Sequence, residues 1–243
     1  MRSFLIILFY FVCFSACKPP LRTGTPVSTK YRIHGDSLKL FDSSIYYIIA
    51  PYKSRLDPEM NKEVATVTDE FRKAQPSGTL CNLVADATFR YASEHSDKKI
   101  DFAVLNYGVI RNPVLRKGTV TKRDLYELIP FENEIVVLRM SGKTVLQFLN
   151  HIATKGGWPV SGLKMTITNG RAFEILIQDQ PLDTNRMYSM ATTDYLTEGG
   201  DGSFMLKNVN LMDPLHYLLR NAVGDYLKTN RSPVEEERIR NEH

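Results

Sequence analysis

Little in this sequence points to charge-driven binding, a disulfide scaffold or a metal centre. Its 243 residues hold 31 Lys and Arg against 27 Asp and Glu, a net charge of +4, and these charges are spread along the chain. A phosphate backbone would find no basic stripe to grip, so nucleic acid is not expected as a partner. Of three cysteines, Cys13, Cys17 and Cys81, the first two lie at the N-terminal apolar run, which leaves the body of the chain one thiol and no internal disulfide. The five histidines, His34, His95, His151, His216 and His243, have no ligand spacing, and His151 reads as a partly packed or exposed residue of a helix. There is no P-loop, no nucleophile elbow and no CxxC pair. Internal repeats and low-complexity tracts are also missing. The longest apolar run, Phe4 to Ala16, is too short to span a bilayer.

That run suits an export signal. Met1-Arg2 precedes it and Phe14-Ser15-Ala16-Cys17 ends it, and small residues ahead of a cysteine resemble the lipobox of bacterial lipoproteins. Residues 1–16 are then a signal peptide, Cys17 carries lipid, and residues 17–43 include a polar, proline-bearing tether. The chain is expected to be exported and held to a bacterial membrane by its lipid; an ordinary cleaved signal would also take it out of the cytoplasm.

Residues 44–243 read as one domain of mixed type. Apolar residues recur at helical spacing over Ser44–Glu63, despite Pro51 and Pro58, and again over Thr79–Ser93, where Leu80, Leu83, Val84, Ala87 and Tyr91 share one face. Helices are also expected over Gly142–Thr154 and Pro214–Thr229. Strands are expected over Glu63–Thr68, Ile100–Leu105, Glu134–Met140, Leu163–Thr168, Phe173–Ile177 and Tyr188–Thr192. The sum of these elements is a mixed α+β domain, held together by its core because no internal disulfide is possible.

Four segments then fall in a recognisable order: Asn82-Leu-Val-Ala-Asp-Ala87, Asn106-Tyr-Gly-Val-Ile-Arg111, Leu128-Ile-Pro-Phe131 and Asp194-Tyr-Leu-Thr-Glu-Gly-Gly-Asp-Gly202. They resemble the GNLVADA, NGGGIR, LPF and N-[DE]-[FY]-L-x-x-GGDG blocks of the C-terminal, substrate-binding domain of 5'-nucleotidases, over roughly residues 45 to 240. The resemblance implies a four-layer α/β/β/α sandwich with a nucleoside pocket. It implies that Phe131 and Tyr195 sandwich a base, that Asp201 bonds ribose hydroxyls, and that Asn106 and Arg111 contact base or ribose and phosphate. Two divalent metal ions would sit elsewhere. This sequence has neither the D-x-H nor the G-N-H-[DE] motif of the family's metal domain, so no catalytic residue is assigned, and hydrolysis is expected to need a separately encoded metallophosphoesterase chain.

The residue types fit that reading on their own chemistry. Aromatic faces stack any base, a carboxylate accepts two vicinal hydroxyls, an arginine offers a fork to phosphate, and glycines around Asp201 allow positive φ and close approach of a sugar. Taken singly, each residue has another use. Phe131 could plug a core, Tyr195 could be the last packed residue of a strand, Gly-Gly-Asp-Gly could be a turn, Asn106 a loop cap and Arg111 a solvated surface residue. Two departures from the family pattern carry expectations of their own: Tyr107 and Val109 replace glycines and are expected to narrow the pocket or reshape its loop, and Arg90 is out of register for a phosphate contact. The rival reading is a nucleoside-binding lipoprotein that serves scavenging without a hydrolase; a purely structural domain is a third.

Overall fold

The computed structural model describes residues 43–242. The expected signal, lipidated Cys17 and tether fall almost wholly on residues 1–42, outside the described residues. The chain divides into two units between Ile49 and Ala50, and only residues 43–49 of the first lie among the described residues. Helix α1 (Ser43–Met60) bridges that division. Its last turns are tied by Asp57 to Arg123 at 2.6 Å and by Glu59 to Lys122 at 2.8 Å. Among the described residues no helix is long and apolar enough to cross a membrane.

The larger unit is built on two large sheets, with two further strand pairs, β1 (Glu63–Val67) with β5 (Gly118–Thr121) and β2 (Phe71–Arg72) with β4 (Val114–Leu115), and the short helices α3 (Lys122–Leu128) and α5 (Asp194–Thr197). In the five-stranded sheet the order is β12 (Asn210–Leu218), β6 (Glu134–Ser141), β11 (Met187–Thr193), β3 (Phe102–Val104) and β7 (Val160–Ser161). In the four-stranded sheet it is β10 (Gln180–Pro181), β9 (Arg171–Ile177), β8 (Leu163–Thr168) and β13 (Ile239–Glu242). Side chains of the central strands alternate between two cores, as period two requires. Ile135, Val137, Ala103 and Ala191 enter the first core, with Leu80, Leu83, Val84 and Ala87 of α2 (Thr79–His95) and Leu219, Val223 and Leu227 of α6 (Leu219–Thr229). Leu138, Met140, Phe102, Val104 and Met190 enter the second.

That second core is closed by β8 and β9 and by α4 (Gly142–Thr154), whose Val145, Phe148, Leu149 and Ile152 repeat at helical spacing. Ser141 caps α4 by accepting the Thr144 amide at 3.2 Å. The mixed α+β class is the one expected. Within it, α4 packs against β9 and also against β6 and β11, so it lies on the inner side of the four-stranded sheet. The physical reason is its apolar stripe, which serves both sheets at once.

One local feature differs from the expectation, and a second was not expected at all. Residues 214–218, expected as helix, belong to β12. This is an edge strand that tolerates Pro214 because its outer amides need no ladder partner. The other feature is a buried polar knot. Arg238, 7% exposed, donates through two nitrogens to Asp86 of α2 at 2.7 and 2.9 Å and to the Val160 carbonyl at 2.8 Å. Ser161 donates to the same Asp86 at 2.6 Å. Burial opposes the guanidinium charge, but the bonds to Asp86 and Glu236 outweigh it and raise its pKa. Next to that layer Cys81 is 3% exposed, its thiol directed at the Ala74 carbonyl, and burial pushes its pKa up.

Candidate functional site

Strand pairing brings three distant segments to one end of the central strands of the five-stranded sheet. β3 and β11 are parallel neighbours, Met190 opposite Phe102 and Ala191 opposite Ala103, so the residues after both strands leave at the same end. β6 runs antiparallel to β11 with Ile135 opposite Thr193, which puts the residues before β6 there too. The three exits are Asn106–Arg111, Phe131–Asn133 and Tyr195–Gly202. Between them lies a cleft of about 210 Å³ lined by Asn106, Gly108, Val109, Arg111, Phe131, Asn133, Tyr195 and Asp201. All five residues singled out in the sequence meet in it. Asn133 was not foreseen; it follows Phe131 by two residues, and no motif marks it.

Asp201 is held in this cleft from several sides. Asn106 donates through Nδ2 to its Oδ2 at 2.6 Å, and the Tyr195 hydroxyl donates to Oδ1 at 3.1 Å while accepting the Asp201 amide at 3.2 Å. Burial, and then the bond to Asp201, raise the Tyr195 pKa, so this hydroxyl stays a donor at neutral pH. Each carboxylate oxygen keeps a lone pair free for a further donor. Asn106 is 5% exposed, and its Oδ1 has no hydrogen-bond partner within the protein. An unmet buried acceptor costs about 1–3 kcal/mol.

The aromatic and cationic groups are also positioned. Arg111 stands 4.9 Å from the centre of the Phe131 ring. Behind Phe131, the buried Arg220 of α6 donates to the carbonyls of Ile129 and Phe131 at 3.0 and 3.1 Å and lies 3.8 Å from the Tyr126 ring. The glycines around Asp201 serve different neighbours. Gly199 and Gly202 adopt φ of +87° and +84°, and Asp201 itself has φ of +50°. Gly200 makes room: a Cβ there would fall 2.4 Å from the Tyr195 ring.

A family model for the 5'-nucleotidase C-terminal domain matches residues 62–208. The chain belongs to this family. It is 28% identical to a 5'-nucleotidase of Vibrio vulnificus over 193 residues, 73% of this chain and 34% of that protein. To a 5'-nucleotidase of Vibrio cholerae it is 24% identical, over 86% of this chain and 40% of the other. The crystal structure of a 5'-nucleotidase precursor from Thermus thermophilus shares the fold with a TM-score of 0.74 at 22% identity, over 82% of this chain and 43% of that one. The chain thus matches about a third to two-fifths of the curated relatives' length.

Two departures from the 5'-nucleotidase pattern can now be placed. Tyr107 does not line the cleft; it packs among the apolar residues of both cores, with the Lys73 ammonium 3.8 Å from its ring centre. Lys73 also donates to the Ile110 carbonyl at 2.7 Å, and burial lowers its pKa. Val109 is 1% exposed and rooted in the first core, although it touches the cleft wall. The retained Gly108 faces the polar cluster, its missing Cβ 3.3 Å from Asn106 Nδ2. Bulk at 107 is therefore absorbed inward, against the expected narrowing. Arg90 bonds Glu94 at 2.9 Å and does not line the cleft. Among the described residues, no group of three or more His, Cys, Asp or Glu is placed to hold a metal ion.

Proposed function

We propose that this chain is the nucleoside- or nucleotide-binding half of a 5'-nucleotidase-type phosphohydrolase. The observation that carries the reading is the convergence of Asn106, Arg111, Phe131, Tyr195 and Asp201 on one cleft. In this proposal a base stacks on Phe131 and Tyr195, the ribose diol donates to Asp201, and Asn106 contacts the ligand beside that carboxylate, which its Nδ2 holds. Arg111 is the cation nearest the phosphate end. Two divalent metal ions and the attacking water would come from a separate metallophosphoesterase chain, and this domain would supply proximity by holding the nucleoside still. We also propose that the chain is exported and anchored through a lipid on Cys17.

Titration calorimetry of the full-length protein with adenosine and AMP tests the cleft. Saturable heat is expected with both ligands. Tyr195→Ala should weaken binding about thirtyfold, the equivalent of about 2 kcal/mol of stacking. No heat from a folded protein would sink the reading. Cleavage of AMP by the purified chain with added metal, lost in Tyr195→Ala, would overturn the need for a partner chain.

A further inference from the structure

The main-chain carbonyl of Asp201 has a partner that nothing in the motif foretells. His151, on the last turn of α4, places Nε2 3.0 Å from that oxygen. A carbonyl can only accept, so Nε2 carries the proton and donates. The ring is itself fixed: it stands edge-on to Trp158 at 5.7 Å and 87°, and Trp158, 4% exposed, packs edge-on to Phe148 at 5.9 Å. Phe148 belongs to the second core, which makes this row of rings a rigid mount. Gly202 keeps the approach open, because a Cβ there would lie 3.1 Å from His151 Cε1.

Asp201 needs such a mount. Its φ of +50° is a left-handed conformation that a residue with a Cβ adopts at a cost. The loop's main-chain bonds lie at the upper end of the ordinary range, Gly202 N to Gly199 O at 3.2 Å and Ser203 N to Gly200 O at 3.1 Å, and the short bonds that close it, from the Ser203 hydroxyl to the Leu196 and Gly200 carbonyls at 2.6 and 2.7 Å, do not touch Asp201. From the side-chain end, Asn106 and Tyr195 fix the carboxylate; from the main-chain end His151 fixes the peptide. We infer that His151 is a positioning residue, whose hydrogen bond to the Asp201 carbonyl holds the carboxylate in register for a vicinal diol, and so sets affinity for the sugar but not for the base.

This inference rests on the proposed function, and the test separates the two. Hydrogen exchange on the ligand-free, full-length protein reads the clamp directly. His151→Ala should speed exchange of the Gly199–Ser203 amides about tenfold, while His151→Gln, whose amide nitrogen reaches as far as Nε2, should keep them within about threefold of the parent. Unchanged exchange in the alanine variant overturns the clamp, whatever the protein binds. Calorimetry then reads its purpose: His151→Ala should weaken adenosine about tenfold and free adenine less than about twofold, with His151→Gln restoring adenosine. Equal losses for adenosine and adenine, or no rescue by glutamine, would mean only general support of the fold. If the parent protein binds no adenosine, the proposed function and the affinity claim fall together, and the exchange result alone decides whether the loop is clamped.

Discussion

Asp86→Ala should lower the stability of the domain by about 3 kcal/mol, or roughly 6–12 °C in Tm for a chain of this size. Asp86 is the shared acceptor of Arg238 and Ser161. Removing it strands a guanidinium in a site where water reaches little of it, since the Arg238 side chain is 8% exposed. Glu236, at 3.0 Å from Nε, would retain one arm of the network, which places the loss at the lower end for a broken buried ion pair. The pair also joins three layers, because Asp86 lies on α2, Ser161 on β7 and Arg238 at the mouth of β13. Urea denaturation with the slope held constant measures the change. Replacing both partners by apolar residues, Asp86→Leu with Arg238→Met, should recover most of the loss, because no charge is then left without a partner. A cost below about 1 kcal/mol for the single variant would mean that water enters the knot and solvates the arginine.

Gly200→Ala should weaken adenosine about a hundredfold, more than deleting the Tyr195 ring itself. The added Cβ would lie 2.4–2.6 Å from three carbons of that ring, closer than nonbonded carbons come, so the ring must leave its place. Its displacement forfeits the stacking surface. It also breaks the hydroxyl's two bonds to Asp201 and turns the ring into space the ligand needs; the three losses together come to about 3 kcal/mol. Stability should change little, because Tyr195 is exposed and not a member of either core. Calorimetry together with a melting curve checks both halves. Near-native affinity would show that the loop yields and that Tyr195 does not form the floor of the site.

The candidate site was legible because its residues travel in ordered blocks and because strand pairing obliges those blocks to meet. Helix Gly142–Thr154 and strand Leu163–Thr168 have the predicted bounds, since an unbroken apolar stripe and a clean alternation leave no competing period. β12 was read partly as helix because Asn210-Leu-Met-Asp-Pro-Leu-His-Tyr-Leu218 has neither period. Its place on the sheet edge is decided by pairing with β6, with bulges that let Pro214 fit. His151 was read as an ordinary helix residue; its contact with Asp201, fifty positions away, depends on how α4 is seated against the sheets, and no local pattern encodes that. Narrowing of the cleft by Tyr107, one of the two outcomes expected, does not occur, for a related reason. A bulky residue in place of glycine blocks a cleft only if its side chain points there, and this one turns inward beneath Lys73.

Cys81 gives the fold a probe of its own. Its thiol is enclosed against the Ala74 carbonyl and kept protonated by burial, so an alkylating reagent meets it only when α2 lifts from its neighbours. The rate of modification at residue 81, followed by mass spectrometry, would therefore time the opening of that layer without any introduced label. Lys73 interacts with Cys81 and also bonds the Ile110 carbonyl of the cleft segment, so a ligand bound in the cleft would slow that clock only if the segment and α2 open together.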